Sequence, residues 1–271
     1  MDKINVIKVG GAVVENEASL KELINQFATM QGYKVLVHGG GRSATRIASQ
    51  LGIESRMVGG RRITDEDMLQ VVTMVYGGLV NKRIVAALQA RGVNAIGLTG
   101  ADMDIIRSHK REPKMVTMDD GTQEMVDFGF VGDVDHANGQ RLASLVKAKD
   151  GIEAAVPVVA PLTHDGMGNI LNTNADTMAA TVAKALTEEF DVTLTYCFEK
   201  PGVMADAEDD DSVIPSINTE SYARLKADGI VSGGMIPKLD NAFDSISSGV
   251  KRVVITHFMD IQASMGTVIE K

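Results

Sequence analysis

The segment Ile4-Asn5-Val6-Ile7-Lys8-Val9-Gly10-Gly11 joins a short run of mostly β-branched residues to a pair of glycines. A run of this kind predicts a buried strand, and the glycines allow the backbone to turn sharply where the strand ends. The same arrangement recurs at residues 35–41, where Val35-Leu36-Val37 precedes His38 and three glycines. Between the two strands, apolar residues repeat at helical spacing, at Leu20, Leu23, Ile24 and Phe27. This part of the chain therefore predicts a strand–helix–strand unit of a parallel sheet covered by helices.

The alternation of apolar runs and helical segments continues along the chain. Further strands are predicted at residues 95–98, 156–160, 193–198 and 253–256. A helix is predicted from Ser43, and another from Thr64, where Thr64-Asp65-Glu66-Asp67 resembles a capping box with Asp in place of Glu. Gly77-Gly78 interrupts that second helical pattern. Two more helices are predicted around Met178 and Leu239.

One charged region, residues 102–134, breaks the alternation and predicts a hairpin insertion over one end of the sheet. No Pro/Ser-rich linker divides the chain and no repeat of fixed period is present. The sequence therefore favours one continuous α/β domain.

Composition narrows the class of protein. The 271 residues include 27 Lys and Arg against 36 Asp and Glu, a net charge of −9, which argues against a nucleic-acid surface. The single cysteine, Cys197, cannot form an internal disulfide and predicts a reducing compartment. No stretch approaches 18 uninterrupted apolar residues, so no membrane span is predicted. We expect a soluble, cytoplasmic protein.

Two glycine clusters stand where a strand ends and a helix begins, at Gly10-Gly11 and at Gly39-Gly40-Gly41. Exposed backbone N–H groups and the helix dipole favour a phosphate or a carboxylate at such a place, although glycines also serve there for turn geometry alone. Neither cluster is a Walker A loop, and no G-x-G-x-x-G follows a strand. This lowers the weight of a P-loop or nicotinamide site.

Two lysines and one aspartate accompany these glycines. Lys8 stands at the end of the first strand, and Lys238 stands in the first turn of a helix that follows Gly233-Gly234. A cation near a helix N-terminus is unfavourable unless an anion offsets it, so the pair suggests phosphoryl transfer. Asp176 follows Asn172-Thr173-Asn174, one of which caps a helix. Its carboxylate is suited to holding both lysines by charge-assisted hydrogen bonds.

The ordered set of these motifs resembles the amino acid kinase superfamily, and more narrowly its N-acetylglutamate kinase family. The resemblance runs from the first strand to the last helix. It rests on the following segments: 8–11 (KVGG), 38–41 (HGGG), 60–64 (GRRIT), 80–82 (VNK), 128–134 (FGFVGDV), 172–176 (NTNAD) and 233–238 (GGMIPK).

The resemblance implies a role for each matching residue. Lys8 and Lys238 would stabilise the transferring phosphoryl group, and Asp176 would organise the two lysines. Lys8, Lys238 and the loop at Gly10 and Gly11 would bind ATP. The acyl amino acid would be bound by a second group of residues, with Arg62 on its α-carboxylate: Gly40, Gly41, Arg62 and Asn172. No residue is expected to hold a metal, because Mg²⁺ would arrive with ATP.

The same resemblance implies an architecture. The fold would be an open, mainly parallel sheet sandwiched between helices, a three-layer α/β/α arrangement similar to carbamate kinase. Residues 1–271 would form a single domain, with an N-terminal lobe at about 1–185 for the acyl amino acid. The C-terminal lobe, about 186–271, would bind the nucleotide. The short N-terminus resembles that of the dimeric members, so we expect a homodimer.

The expected reaction is ATP-dependent phosphorylation of the γ-carboxylate of N-acetyl-L-glutamate, the second step of arginine biosynthesis. The sequence leaves the acyl group open between acetyl and a larger group such as succinyl. A more distant alternative is a non-catalytic ligand-binding regulator on the same fold. The chain departs from the family at Phe198-Glu199, where relatives commonly carry Thr/Ser-Asp, and this places an aromatic ring near the expected adenosine pocket.

Overall fold

The structure, a computed structural model, describes residues 1–59, 61–118, 121–147, 153–206, 208–262 and 265–271. Gly60, part of the predicted GRRIT motif, lies outside the described residues. The strands in chain order are β1 (Lys3–Val9), β2 (Tyr33–His38), β3 (Met57–Val58), β4 (Arg61–Arg62), β5 (Ala95–Leu98), β6 (Ile106–Lys110), β7 (Lys114–Thr117), β8 (Gln123–Val126), β9 (Gly132–Ala137), β10 (Val156–Val159), β11 (Leu162–His164), β12 (Ile170–Asn172), β13 (Asp191–Phe198), β14 (Ser216–Ile217), β15 (Arg252–His257) and β16 (Thr267–Ile269). The α-helices are α1 (Gly11–Glu15), α2 (Glu17–Thr29), α3 (Gly41–Gln50), α4 (Glu66–Val72), α5 (Asn81–Gln89), α6 (Gly139–Val146), α7 (Ala175–Ala185), α8 (Thr219–Ala227) and α9 (Met235–Ser247).

Among the described residues, eight strands form a central sheet in the order β14-β16-β15-β13-β1-β2-β10-β5. Neighbouring strands are parallel except for β15 and β16, so the predicted mainly parallel sheet is confirmed. The chain runs from β1 outward on one side and later returns to the other side at β13. Strand order therefore reverses beside β1, and open α/β sheets bind ligands at such a point, beyond the carboxyl ends of the strands.

The register of the central strands brings the predicted glycine clusters together. Lys8 of β1 pairs with Val37 of β2 on one side and with Tyr196 of β13 on the other. Because the three strands are parallel, the loops that follow β1 and β2 leave the sheet at the same edge. Gly10 and Gly39 are the first residues of those loops.

Both faces of the sheet are covered by helices. Alternate residues of β1 pack into different cores: Val6 joins one that includes Met178 of α7 and Leu239 of α9, and Ile7 joins one that includes Leu23 of α2. Parallel sheets buried on both faces show this continuous apolar composition. The arrangement is the predicted three-layer α/β/α fold.

The helical segment after Thr64 differs from the prediction in two ways. The N-cap is Asp65, whose side chain accepts a hydrogen bond from the Met68 N–H at 2.9 Å, and Thr64 is buried instead. The pair Gly77-Gly78 does not interrupt the helix, because residues Thr73–Val80 form wide π-type turns that join α4 to α5. The prediction of a break was wrong.

This joined helical run, Glu66–Gln89, is long and apolar enough to cross a membrane by length and composition alone. Several of its apolar residues nevertheless pack into the core, among them Val71, Tyr76 and Ile84, although Met74 and Leu79 are exposed. We therefore describe it as a core helix.

The insertion is larger than the predicted hairpin. Strands β7 and β8 do form an antiparallel hairpin, but β6 and β9 belong to a second sheet of order β12-β11-β6-β9. Isolated bridges join Thr64 to Gly129 and Val131 to Asn172, which ties the insertion to the main domain. Helices α6 and α8 were not predicted.

Candidate active site

The side chain of Asp176 lies between the two predicted lysines. Its Oδ1 is 2.7 Å from Lys8 Nζ, and its Oδ2 accepts a hydrogen bond from Lys238 Nζ at 2.9 Å. Lys8 comes from the end of β1, Asp176 from the first turn of α7 and Lys238 from the first turn of α9. The structure thus brings together three residues that are distant in sequence.

Local sequence explains why α7 places Asp176 there. Asn174 is the N-cap, and its side chain accepts hydrogen bonds from the backbone N–H groups of Asp176 and Thr177. The predicted cap is therefore present, and it fixes the first turn of the helix. The carboxylate of Asp176 lies in this first turn, where the helix dipole favours a negative charge.

Burial and charge set the electrostatics of this cluster. Burial alone would raise the pKa of Asp176, but the Lys8 and Lys238 ammonium groups hold that pKa well below its ordinary value. The pKa of Lys238 is lowered by burial and by the charge of Lys8, against the opposing effect of Asp176. Two ammonium groups share one carboxylate, so the cluster carries a net positive charge when both lysines are protonated. Such a cluster favours an anion.

The two predicted glycine loops pack directly against each other. A Cβ atom on Gly39 would lie 3.2 Å from the backbone nitrogen of Gly11, and one on Gly11 would lie 3.6 Å from the nitrogen of Gly40. A Cβ on Gly40 would lie 2.9 Å from the ring of buried Tyr76. The backbones approach this closely because there are no side chains. Gly10 also faces β13, with a Cβ there 3.7 Å from Phe198 Cβ.

A cavity of about 190 Å³ lies next to the second glycine loop. Its wall includes all four residues that the sequence assigned to the acyl amino acid, namely Gly40, Gly41, Arg62 and Asn172. The wall also includes Tyr76 and Arg111, which the sequence did not single out, and Val131 of the FGFVGDV segment.

Arg62 is held in this wall by neutral acceptors. Its Nη2 donates to the carbonyl oxygen of Gly41 at 2.8 Å and to Thr45 Oγ1 at 2.9 Å, and its Nη1 donates to Ser55 Oγ. A substrate carboxylate is a stronger acceptor for a guanidinium than these groups, so it would compete for the same N–H donors.

Asn172 reaches the cavity from β12. Its Nδ2 donates to Thr64 Oγ1 at 2.9 Å, and its backbone N–H donates to the carbonyl oxygen of Phe130. Thr64 in turn binds the backbone of the insertion. Its carbonyl oxygen accepts a hydrogen bond from the Phe130 N–H at 2.7 Å. These hydrogen bonds join β12, the insertion and the start of α4 around one wall of the cavity.

His38, the first residue of the HGGG segment, is fully buried. Its Nδ1–H donates to the Gly39 carbonyl at 2.8 Å, and its Nε2 accepts from Asn81 Nδ2 at 3.2 Å. These partners require the neutral ring. Burial lowers the pKa of His38 to about 4, against the opposing Gly39 hydrogen bond.

Phe198 lies on the side of the cluster that the sequence assigned to the nucleotide. Its ring centroid is 5.9 Å from Lys238 Nζ, and that of Tyr196 is 5.2 Å away. Lys238 therefore has two aromatic neighbours in addition to Asp176. The sequence predicted a strand over residues 193–198 and placed the Phe198 ring near the expected adenosine pocket, but it gave no signal that either ring would contact Lys238.

Known proteins resemble this chain in both sequence and structure. Residues 3–257 match the model of the amino acid kinase family. The smu.665 protein of Streptococcus mutans has a similar structure, with a TM-score of 0.78 at 25% identity, covering 98% of each chain. Carbamate kinase from Giardia lamblia shares the fold, with a TM-score of 0.68 at 16% identity, covering 100% of this chain and 99% of the other. The chain belongs to the amino acid kinase family.

The sequence also identifies a narrower group of relatives within this family. The chain is 60% identical to the acetylglutamate kinase of Bacteroides thetaiotaomicron over 270 residues, which covers 100% of this chain and 99% of the relative. Within the family it therefore belongs with the acetylglutamate kinases, as the sequence motifs predicted.

Proposed function

We propose that this chain transfers the γ-phosphoryl group of ATP to the γ-carboxylate of N-acetyl-L-glutamate, in arginine biosynthesis. The 60% identity to a named acetylglutamate kinase along the whole chain supports the reaction. The single structural observation that carries it is the Lys8–Asp176–Lys238 cluster beside two glycine loops. The cluster supplies positive charge where a phosphoryl group would develop negative charge.

The chemistry needs no general base. A γ-carboxylate with an ordinary pKa of about 4.3 is ionised at pH 7. One of its oxygens attacks the γ-phosphorus, a carboxylate–phosphorus bond forms, the bond from phosphorus to the β–γ bridging oxygen breaks, and ADP leaves with that electron pair. The protein therefore has to position two anions in line and offset their repulsion.

Each residue of the cluster has a proposed part in this step. Lys8 and Lys238 bind the oxygens of the transferring phosphoryl group. Asp176 holds the two ammonium groups close to each other, which their mutual repulsion would otherwise oppose. The N–H groups of Gly10 and Gly11 bind ATP phosphates, while Gly40 and Gly41 lie toward the acyl amino acid.

The nucleotide is proposed to enter as MgATP, with the metal held by its phosphates. Asp176 is a poor ligand for a resident metal, because both of its oxygens face lysine ammonium groups. Within the described parts of the chain, no three His, Cys, Asp or Glu side chains are grouped to hold a metal ion. Magnesium bound to the nucleotide would supply positive charge that offsets the charge of the leaving group.

We also propose that the two lobes bind different substrates. Residues 1–185 supply the cavity wall and would bind the acyl amino acid, and residues 186–271 supply Lys238 and Phe198 and would bind ATP.

We further propose a cytoplasmic homodimer. A solution mass near twice 28.9 kDa is expected by light scattering, and a mass of 28.9 kDa would contradict the dimer.

A hydroxylamine trap tests the proposed reaction. The protein is incubated with MgATP, hydroxylamine and a panel of free and N-acylated glutamates and aspartates, and the hydroxamate is measured by its iron complex. We expect hydroxamate with N-acylglutamates and none with free aspartate. No product with any N-acylglutamate would overturn the proposal, and binding of an N-acylglutamate without product would favour the regulator.

A further inference from the structure

The cavity wall carries more positive charge than the proposed reaction uses. The proposed substrate has two carboxylates, one at the Lys8 and Lys238 pair and one at Arg62. Arg61 and Arg111 also line the cavity, and the neutral acetyl group of the substrate gives them nothing to bind.

Arg111 is a buried and rigidly held cation. Only 9% of its side chain is exposed. Its Nε and Nη2 donate to the two oxygens of Asp133 at 2.5–3.1 Å, and its guanidinium lies 5.5 Å from the ring centre of Phe128. Its third nitrogen, Nη1, is buried with no hydrogen-bond partner among the described residues. A buried donor of a charged group costs free energy when it is left unpaired. A ligand that supplied an acceptor to this nitrogen would remove that cost.

Two more cations lie near Arg111. Burial lowers the pKa of Arg61, and the charge of Arg111 lowers it further against the effect of Asp133. The pKa of Lys114 is lowered by burial and by the charges of Arg111 and Arg61. Among the described residues, Asp133 is the carboxylate whose charge acts on both Arg61 and Lys114, and Arg111 already occupies both of its oxygens. An additional anion would relieve the repulsion.

We propose that Arg111 and Arg61 form a subsite for a third carboxylate, at the far end of the acyl group, so that this chain prefers N-succinyl-L-glutamate to N-acetyl-L-glutamate. The inference rests on the proposed function, because it assigns the acyl end of the same substrate. Arg111 Nη1 donates to the succinyl carboxylate, and Arg61 supplies a second positive charge. The apolar side chains in the cavity wall, such as Val131, contact the methylene groups between the two ends.

The specificity of the reaction tests the subsite without any change to the protein. We compare kcat/KM for three compounds: N-acetyl-L-glutamate, N-succinyl-L-glutamate and the terminal amide of the latter, which has the same size and no acyl charge. A charge-assisted hydrogen bond predicts a preference for the succinyl compound over its amide of about 10- to 100-fold. Equal rates with the amide, or a higher kcat/KM with the acetyl compound, would overturn the subsite.

A matched pair of variants locates the effect. Arg111→Gln is expected to reduce the succinyl-to-amide ratio to about 1 because the donor is lost. Lys110→Gln removes an exposed cation from the adjacent position and is expected to leave the ratio unchanged. An unchanged ratio in Arg111→Gln would contradict the assignment, and if that variant does not fold, the comparison of the three ligands on the native chain still decides it.

The outcomes separate the two proposals. Product from N-acetyl-L-glutamate without a preference for the succinyl compound would contradict the subsite and leave the carboxylate kinase intact. No product from any of the three compounds would contradict the proposed function itself. Isothermal calorimetry on the native chain provides a second readout, with tighter binding of N-succinyl-L-glutamate than of its amide expected.

Discussion

Lys8 and Lys238 share a single carboxylate, that of Asp176. The loss of either ammonium group therefore changes the charge that surrounds the other. Replacement of either lysine by Ala removes one donor to the transferring phosphoryl group and leaves Asp176 less well neutralised. We expect kcat to fall by roughly 10²-fold or more, comparable to the loss of one preorganised donor in an oxyanion hole.

The measurement for these variants is turnover with both substrates saturating. Lys184→Ala is the control, because Lys184 forms a partly exposed ion pair with Asp244 on the same helix layer, 2.7 Å long. Turnover equal to that of the native chain in Lys8→Ala or Lys238→Ala would remove that lysine from the mechanism.

Arg62 is expected to act in binding. Arg62→Ala should raise the KM for N-acetyl-L-glutamate and leave the KM for MgATP nearly unchanged, because the guanidinium lines the cavity beside Gly41. Arg46→Ala, an exposed arginine on α3, serves as the control. A change confined to the KM for MgATP would assign Arg62 to the nucleotide instead.

His38 links stability to pH. Its pKa is lowered from 6.5 to about 4 in the folded chain, so between these values the unfolded chain binds more protons. Stability is therefore lost as the pH falls from 6.5 toward 4. The free energy of unfolding at pH 4.5, relative to pH 7, should fall by roughly 2–3 kcal/mol more in the native chain than in His38→Asn. Equal pH dependence of urea unfolding in the two chains would show that His38 does not contribute.

At the residue scale, the sequence predicted the charged cluster because Lys8, Asp176 and Lys238 each follow a recognisable strand end or helix start. It could not predict Arg111. That arginine lies in an exposed-looking charged segment, and its burial depends on Asp133 and Phe128, which come from later in the chain.

At the scale of elements, the contact between the insertion and the start of α4 depends on one glycine. Gly129 has φ +70°, and a Cβ there would lie 2.2 Å from the carbonyl oxygen of Thr64. Gly129→Ala therefore has to displace backbone that supports Asn172 through Thr64. Gly32→Ala is a matched control, since Gly32 has φ +80° and nothing within 4 Å of an added Cβ.

Both substitutions incur backbone strain, but only Gly129→Ala adds a steric clash. We expect it to lower the free energy of unfolding by about 1–3 kcal/mol more than Gly32→Ala does, measured by urea unfolding. It should also raise the KM for N-acetyl-L-glutamate. Equal destabilisation by the two substitutions would show that the Thr64 contact can relax freely.

The positions of the central strands followed from apolar runs, which is why β1, β2 and β13 agree with the prediction within a few residues. Two predictions about the helical run after Thr64 were wrong: the residue that caps α4 and the break at Gly77-Gly78. The cap moved from Thr64 to Asp65 because Thr64 is buried against Asn172, a contact between residues 108 positions apart. The wide turns at Gly77-Gly78 could not be predicted from periodicity, since helical spacing and glycine content alone favour a break.

At the scale of the whole molecule, the site results from topology. Strand order reverses beside β1, so the ends of β1 and β2 and the first turns of α7 and α9 meet at one edge of the sheet. The order of strands was not predictable from the sequence, because it depends on which side of β1 each later strand joins. The class of sheet was predictable, because strands and helices alternate.

The central claim is that the γ-carboxylate itself attacks the phosphorus of ATP. The direct measurement is ³¹P NMR of the reaction of MgATP with N-acetyl-L-glutamate labelled with ¹⁸O in the γ-carboxylate. The account predicts an acyl-phosphate signal that carries one ¹⁸O bridge and grows together with ADP. Release of ADP with unlabelled inorganic phosphate, and with no acyl phosphate, would contradict it.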